Sequence, residues 1–181
     1  MKEIFQLSGK IIMAQLSAIF LTFMVHLLFG VVANKLGITW IITVLIYFGA
    51  FYSVGWHKGK SDARKLPGMT EDVKKAVFAS GIVCLITLAL LVFRICTFHF
   101  ASGGNIEYKP AVFMVSEILY RLWNFPLVDF MQKGTLVQYA LPVIYPLIIV
   151  PVAYILGTKR FSFIENVWYK ILYKNKKTNK K

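Results

Sequence analysis

An uncharged apolar run over residues 11–33 constrains the fold of this chain more than any other feature. A helix of this length, at about 1.5 Å per residue, covers about 34 Å, enough to cross the hydrocarbon core of a bilayer. The run is longer than the apolar region of a cleaved signal peptide, and no small-residue cleavage site follows it. We therefore predict a retained membrane anchor. The composition agrees, since 16% of the residues are charged, against about 25% in soluble domains.

Three further apolar runs predict three more spans and hence an all-α fold, a polytopic four-transmembrane-helix bundle. The predicted spans are residues 11–33, 38–56, 71–98 and 135–157, within a transmembrane domain of residues 1–157. Pro142, Pro146 and Pro151 lie inside the fourth run. Each proline removes a backbone hydrogen bond, which membrane helices tolerate where neighbouring helices re-satisfy the backbone. We expect a kinked fourth helix.

The long connection over residues 100–133 contains an amphipathic pattern between Pro110 and Pro126. One face of a helix over residues 111–125 is apolar and consists of Val112, Met114, Val115, Ile118, Leu119, Leu122, Trp123 and Phe125. The other face is polar and consists of Ser116, Glu117, Tyr120, Arg121 and Asn124. Phe113 does not fit this division. The pattern predicts an extracellular amphipathic helix that lies on the bilayer surface or caps the bundle.

The basic residues are distributed unequally between the two sides of the predicted bundle. Of the 21 Lys and Arg residues, sixteen fall on the side that holds both termini and the polar stretch of residues 55–65, four fall on the opposite side, and Arg94 lies within a span. The positive-inside rule therefore places the termini and this stretch, interpreted as a loop, in the cytoplasm. Residues 158–181 predict a cytoplasmic basic amphipathic helix on anionic inner-leaflet lipids. The net charge of +13 then needs no nucleic acid partner.

Two ionisable side chains inside the predicted spans are candidate functional residues. His26 shares a small or polar stripe with Gln15, Ala18 and Thr22. It is either a proton relay or ligand contact, or a neutral histidine that bonds across a helix interface, and the second interpretation is favoured. Arg94 either binds an anion or pairs with Glu107, Glu117 or Asp129, or it extends to the lipid headgroups, which is favoured.

His57 and Asp62 are two further candidates, in the polar stretch. With the neighbouring lysines they form either an anion or lipid-headgroup site or a solvated segment that sets the topology, and the latter is favoured. His99 and Glu107 suggest a metal pair, but two ligands do not make a site. The sequence contains no glycine-rich phosphate loop, no His-Glu-x-x-His and no Gly-x-Ser-x-Gly. We therefore predict no catalytic residues, no metal, no cofactor and no enzymatic activity.

Several short motifs resemble a known group of proteins. They are Gly55-Trp56-x-x-Gly59-x-x-Asp62, Arg121-Leu122-Trp123-Asn124-Phe125-Pro126, and Leu141-Pro142-x-x-Tyr145-Pro146 leading to Tyr154-Ile155-Leu156-Gly157. This pattern is similar to that of uncharacterised small four-span integral membrane proteins of Gram-positive bacteria. The resemblance covers much of the chain from Gly55 onward and implies a bacterial plasma membrane. It implies no activity and no residue roles.

The absence of catalytic groups and the small-residue stripes predict a non-enzymatic accessory or assembly protein of the plasma membrane. Its cytoplasmic basic segments are expected to contact anionic lipid, a membrane-protein partner or a second copy of the chain. The alternative is a small transporter or channel subunit that uses the proline-containing fourth span with His26 and Arg94. The two hypotheses differ in whether His26 and Arg94 face a polar interior.

Overall fold

The chain is described by a computed structural model that covers residues 2–35, 38–65, 73–101, 110–133 and 136–161. The α-helices are α1 (Lys2–Lys35), α2 (Thr39–Lys65), α3 (Val73–Ala101), α4 (Ala111–Trp123) and α5 (Leu136–Thr158). Two short 3-10 helices, Phe125–Leu127 and Phe130–Lys133, join α4 to α5. These parts of the chain are all-helical, and four of the helices (α1, α2, α3 and α5) are long and apolar enough to cross a membrane. Most of the predicted tail helix, residues 162–181, lies outside them.

The polar stretch of residues 55–65 is helical, so our interpretation of it as a loop is wrong. It forms the last three turns of α2, which continues to Lys65. An ion pair within the helix stabilises this part of α2, because Lys58 Nζ lies 2.7 Å from the Asp62 carboxylate one turn later. The first two residues of the predicted third span, 71 and 72, lie outside the described residues. Helix α2 thus projects its basic end beyond its apolar part.

Three glycines bring α2 and α5 into backbone contact. A Cβ atom built on Gly55 meets the Val150 carbonyl at 2.6 Å, and one on Gly59 meets the Tyr154 carbonyl at 2.1 Å. On the other helix, a Cβ atom on Gly157 meets the Trp56 carbonyl at 2.3 Å. Small residues at this spacing let helix backbones approach closely. Gly55 and Gly59 therefore form the close-contact face of α2.

Helix α5 runs without interruption through its three prolines. Two carbonyls that lie three residues before a proline, where the backbone ladder is weakened, accept hydrogen bonds from neighbouring helices. The Tyr120 hydroxyl donates to the Tyr139 carbonyl before Pro142, and the Cys84 thiol donates to the Val143 carbonyl, 2.9 Å away, before Pro146. Side chains of α3 and α4 therefore bond to the backbone of α5 close to two of its prolines.

The end of α5 turns back toward α2. Arg160 has a positive φ of 52°, and the Phe161 N–H donates to the Leu156 carbonyl at 2.9 Å, which is the closing bond of a Schellman motif. The Trp56 indole N–H then donates to the Phe161 carbonyl at 2.9 Å. The start of the basic tail is therefore held against the basic end of α2.

Candidate functional site

Helix α4 packs antiparallel along α3. Near the start of α4, the Ser116 hydroxyl lies 2.6 Å from the Thr97 hydroxyl near the end of α3. At the end of α4, the Trp123 indole N–H donates to the Thr87 hydroxyl at 3.0 Å, in the middle of α3. The helix therefore returns along α3 to about half the length of that span.

The polar face of α4 points into the bundle. Phe113, Ser116, Tyr120 and Asn124 are buried. The residues with large exposed fractions, from 43% to 59%, are all apolar: Val112, Met114, Val115, Ile118, Leu119 and Leu122. The helix forms where the sequence predicts it, but a surface orientation with the polar face toward water is not what the structure shows. The inward position of Phe113 explains why this residue did not fit the predicted apolar face.

An ionic cluster forms where α3, α4 and α5 meet. Arg94 donates through Nε to the Glu117 carboxylate, and its guanidinium lies 3.8 Å from the centre of the Tyr139 ring. Arg121 donates to Glu117 Oε1 at 2.5 Å and to the Tyr139 hydroxyl at 3.2 Å. The Tyr139 hydroxyl in turn donates to Glu117 Oε1 at 3.2 Å. Of the alternatives for Arg94, the structure shows pairing with Glu117, and not extension to headgroups.

The charge of Glu117 is set by this cluster. Burial raises the pKa of the Glu117 carboxyl, but the hydrogen bonds and positive charges of Arg121 and Arg94 outweigh burial and hold the pKa below its usual range. The Arg94 and Glu117 side chains are 19% and 18% exposed. Glu117 is therefore an ionised carboxylate that neutralises an arginine inside the bundle.

A second polar contact joins α1 to the 3-10 segment of residues 125–133. The His26 Nδ1 atom lies 2.9 Å from the Thr22 carbonyl, and the Nε2 atom lies 3.3 Å from Asp129 Oδ2. The side chains are 22% and 17% exposed, and the Phe125 ring lies 5.3 Å from the imidazole, centre to centre. His26 thus lies at a helix interface, as favoured from the sequence, but the group in contact with its Nε2 atom is a carboxylate and not a neutral group.

Polar groups line the rest of this interface. The predicted stripe of α1 faces inward, since Gln15, Ala18 and Thr22 are fully buried. The Gln15 side-chain amide donates to the Trp123 carbonyl at 2.5 Å. In the part of the chain that the structure describes, six buried side-chain atoms lack a hydrogen-bond partner, and five of them lie along this interface: Gln15 Oε1, Thr22 Oγ1, His26 Nε2, Asn124 Oδ1 and Asp129 Oδ2. From Gln15 to His26 they extend over about 16 Å of α1.

His57 and Asp62 do not join either cluster. The Asp62 carboxylate accepts hydrogen bonds from Lys58 at 2.7 Å and from the buried Tyr154 hydroxyl at 3.1 Å. His57 is exposed, and its ring lies 5.1 Å from that of Trp56. Asp62 therefore connects the basic end of α2 to α5, a contact that its sequence context does not predict.

No carboxylate was expected inside the bundle from the sequence. The apolar centres of the spans contain none, and Glu117 and Asp129 come from the connection. The available signal was the polar face of α4, whose members recur at a spacing of three or four residues and end with Asn124. Among the described residues, no group of three or more His, Cys, Asp and Glu side chains is arranged to hold a metal ion. Glu107, the predicted partner of His99, lies outside them.

These observations define the class of this protein: a helical chain with four candidate membrane spans, compatible with a multi-pass membrane protein. Comparison of the sequence and the structure with protein-family models, curated proteins and solved structures finds no match. The resemblance to the small four-span proteins of Gram-positive bacteria therefore stays a prediction.

Proposed function

We propose that this protein is a small transporter or channel subunit in which a small ion passes between α1 and the segment of residues 124–129. The observation that carries the proposal is the inward polar face of α4 and the residues that follow it, which bring Glu117, Asn124 and Asp129 beside the spans. Ionisable groups inside a membrane protein are costly and usually mark a pathway or a binding site. Here they come from an element that returns into the bundle.

The buried atoms without protein partners support an ion pathway. Buried polar groups are nearly always hydrogen-bonded, and those that are not paired within the protein require water or a bound ion. Gln15, Thr22 and His26 lie on one face of α1, and Asn124 and Asp129 lie opposite. A file of such groups suits the passage of a small hydrated species. The proline-containing α5 contributes Tyr139 to the neighbouring ionic cluster and is a supporting wall.

Ion flux through reconstituted protein tests the proposal. In liposomes holding the full chain, with a potassium potential imposed by valinomycin and followed by a potential-sensitive dye, we expect the potential to collapse severalfold faster than in empty liposomes. His26→Ala removes the group at the end of the polar file, so its rate should fall to that of empty liposomes. His57→Ala, which changes an exposed histidine, is the matched control and should retain the wild-type rate. Wild-type liposomes no leakier than empty ones would refute the proposal.

A non-enzymatic accessory or assembly protein is the second candidate. The ionic cluster favours this function. Its members, Arg94, Glu117, Arg121 and Tyr139, satisfy one another's hydrogen bonds and charges, as in a contact that holds helices together. In this case the exposed apolar faces contact a membrane-protein partner or another copy of the chain, and the basic ends contact anionic lipid. A partner that co-purifies from native membranes, together with an absence of ion flux, would select this function over transport.

We propose a bacterial plasma membrane as the location, with both termini in the cytoplasm. One end of the bundle gathers the start of α1, the end of α2 and the start of α3, since the Glu3 carboxylate lies 3.1 Å from Lys75 Nζ and 3.9 Å from Lys58 Nζ. The positive-inside rule places such a basic end in the cytoplasm.

Labelling with a membrane-impermeant maleimide tests this orientation. In a background with Cys84 and Cys96 replaced by serine, we expect Phe100→Cys, at the far end of α3, to react in intact cells. Ser61→Cys, an exposed position near the end of α2, should react only after the membrane is opened. Reaction of Ser61→Cys in intact cells would reverse the proposed topology.

A further inference from the structure

We propose that His26 and Asp129 together bind a single proton. The inference deepens the proposed transport function by naming the ion, and it rests on that function for its biological use. The proton site itself rests on geometry alone: an imidazole held between a backbone carbonyl and a carboxylate, where α1 meets the segment after α4.

The tautomer of His26 follows from its first neighbour. A backbone carbonyl can only accept, so the contact of 2.9 Å between Nδ1 and the Thr22 carbonyl requires the hydrogen on Nδ1. In a neutral ring, Nε2 then presents a lone pair. That lone pair points toward Asp129 Oδ2, which lies 3.3 Å away and is also an acceptor when ionised.

The unprotonated pair therefore places two acceptors in contact. Neither Nε2 of His26 nor Oδ2 of Asp129 has another hydrogen-bond partner among the described residues. One added proton converts the repulsive contact into a charge-assisted hydrogen bond, which is shorter and stronger than a neutral one. The geometry thus provides a position for one proton between the two acceptor atoms.

The surroundings strengthen this affinity. The Phe125 ring covers the imidazole, and unpaired charge is costly where water is largely excluded. The other charged groups of the interior are Arg94, Glu117 and Arg121, which are engaged with one another. Within the described ranges, Asp129 is the carboxylate within 4.0 Å of His26. The proton of the proposed site therefore has these two side chains as its neighbours.

Nitrogen NMR of the full-length protein, labelled at histidine, tests the site. The chain has three histidines, so His26→Gln assigns the signal of interest by its loss. We expect the wild-type Nε2 of His26 to keep its hydrogen to a pH at least about one unit higher than in Asp129→Asn, a tenfold difference in proton affinity. The amide of asparagine donates to a neutral ring, so Asp129→Asn retains a bonded contact without the charge.

The signals of His57 and His99 serve as internal controls and should not differ between the two proteins. Asp129→Glu keeps the carboxylate, and His26 in this variant should behave as in the wild type. This control separates the loss of the charge from a perturbation of the fold by Asp129→Asn. Equal proton retention by His26 in the wild type and in Asp129→Asn overturns the inference. This measurement does not depend on ion flux. A shifted signal without ion flux would support the proton site and refute transport. Ion flux without a shifted signal would support transport and refute the proton site.

Discussion

Replacing Gly59 by valine is expected to prevent the protein from folding. The contact is between backbones: a Cβ atom at this position lies 2.1 Å from the carbonyl oxygen of Tyr154 and 3.1 Å from the backbone nitrogen of Thr158. Flexible side chains can move aside, but here two helices must separate. Overpacking in a core usually costs about 1–3 kcal/mol, and we expect a larger loss because α2 and α5 also share the contacts of Gly55 and Gly157.

The measurement is the yield of monodisperse protein in detergent, followed by thermal unfolding of any soluble fraction. Gly49→Val is the matched control, since it makes the same change in the same helix at a position where a Cβ atom meets nothing within 4 Å. It should cost little, because glycine is a poorer helix former than valine. A normal yield of Gly59→Val with an unchanged unfolding temperature would show that α2 and α5 are not in backbone contact.

Glu117→Ala is expected to destabilise the protein by about 3–5 kcal/mol. The substitution leaves the guanidinium of Arg94, 19% exposed in the structure, without its counter-charge, and breaking a buried pair on one side costs about this much. The more exposed Arg121, at 41%, adds little because solvent screens its charge. The free energy of unfolding in mild detergent gives the measurement.

The double substitution Glu117→Ala with Arg94→Leu separates lost pairing from lost packing. If the cost arises from an unpaired charge, removing the arginine as well should recover most of the stability, because replacing both members of a buried pair is often nearly neutral. Glu3→Ala is the control for a surface pair, since Glu3 is 54% exposed beside Lys75, and it should cost less than about 1 kcal/mol. A double variant as unstable as Glu117→Ala alone would contradict this account.

The same carboxylate gives the stability a defined pH dependence. The pKa of Glu117 is lowered in the folded protein, so the ionised form contributes stability that is fully present above the ordinary glutamate value of about 4.3 and is lost as the pH falls through the lowered pKa. The difference in unfolding temperature between the wild type and Glu117→Gln should therefore persist at neutral pH and shrink in strong acid.

Much of the helical architecture follows from the sequence because span length and hydropathy are local properties. The first predicted span lies within α1, and the described parts of the third and fourth predicted spans lie within α3 and α5. The second predicted span ends at residue 56, but α2 continues to Lys65. The charged residues end the apolar part of α2 and not the helix. Gly55 and Gly59 are four residues apart, and small residues at this spacing share one helix face and allow close helix contact.

The candidate site was predictable only in part. His26 and Arg94 are identifiable individually, because an ionisable residue within an apolar run is unusual wherever it occurs. Their partners are not, since Glu117 and Asp129 belong to a connection whose depth depends on how α4 packs on α3. His57 and Asp62 also have different neighbours in the structure. They lie close in sequence, but a separation of five residues places them on different faces of α2.

The sequence by itself determined three features of the chain. It forms apolar helices of spanning length, it has small residues at positions that allow backbone contact, and its basic charge is concentrated toward one side. The tertiary structure decided which way the amphipathic helix faces. A pattern of alternating faces specifies two surfaces but not which of them is inside, because that depends on whether water or apolar groups surround the helix. Turning the polar face of α4 inward brings Glu117 to Arg94 and Asp129 to His26, and both proposals for the function rest on that choice.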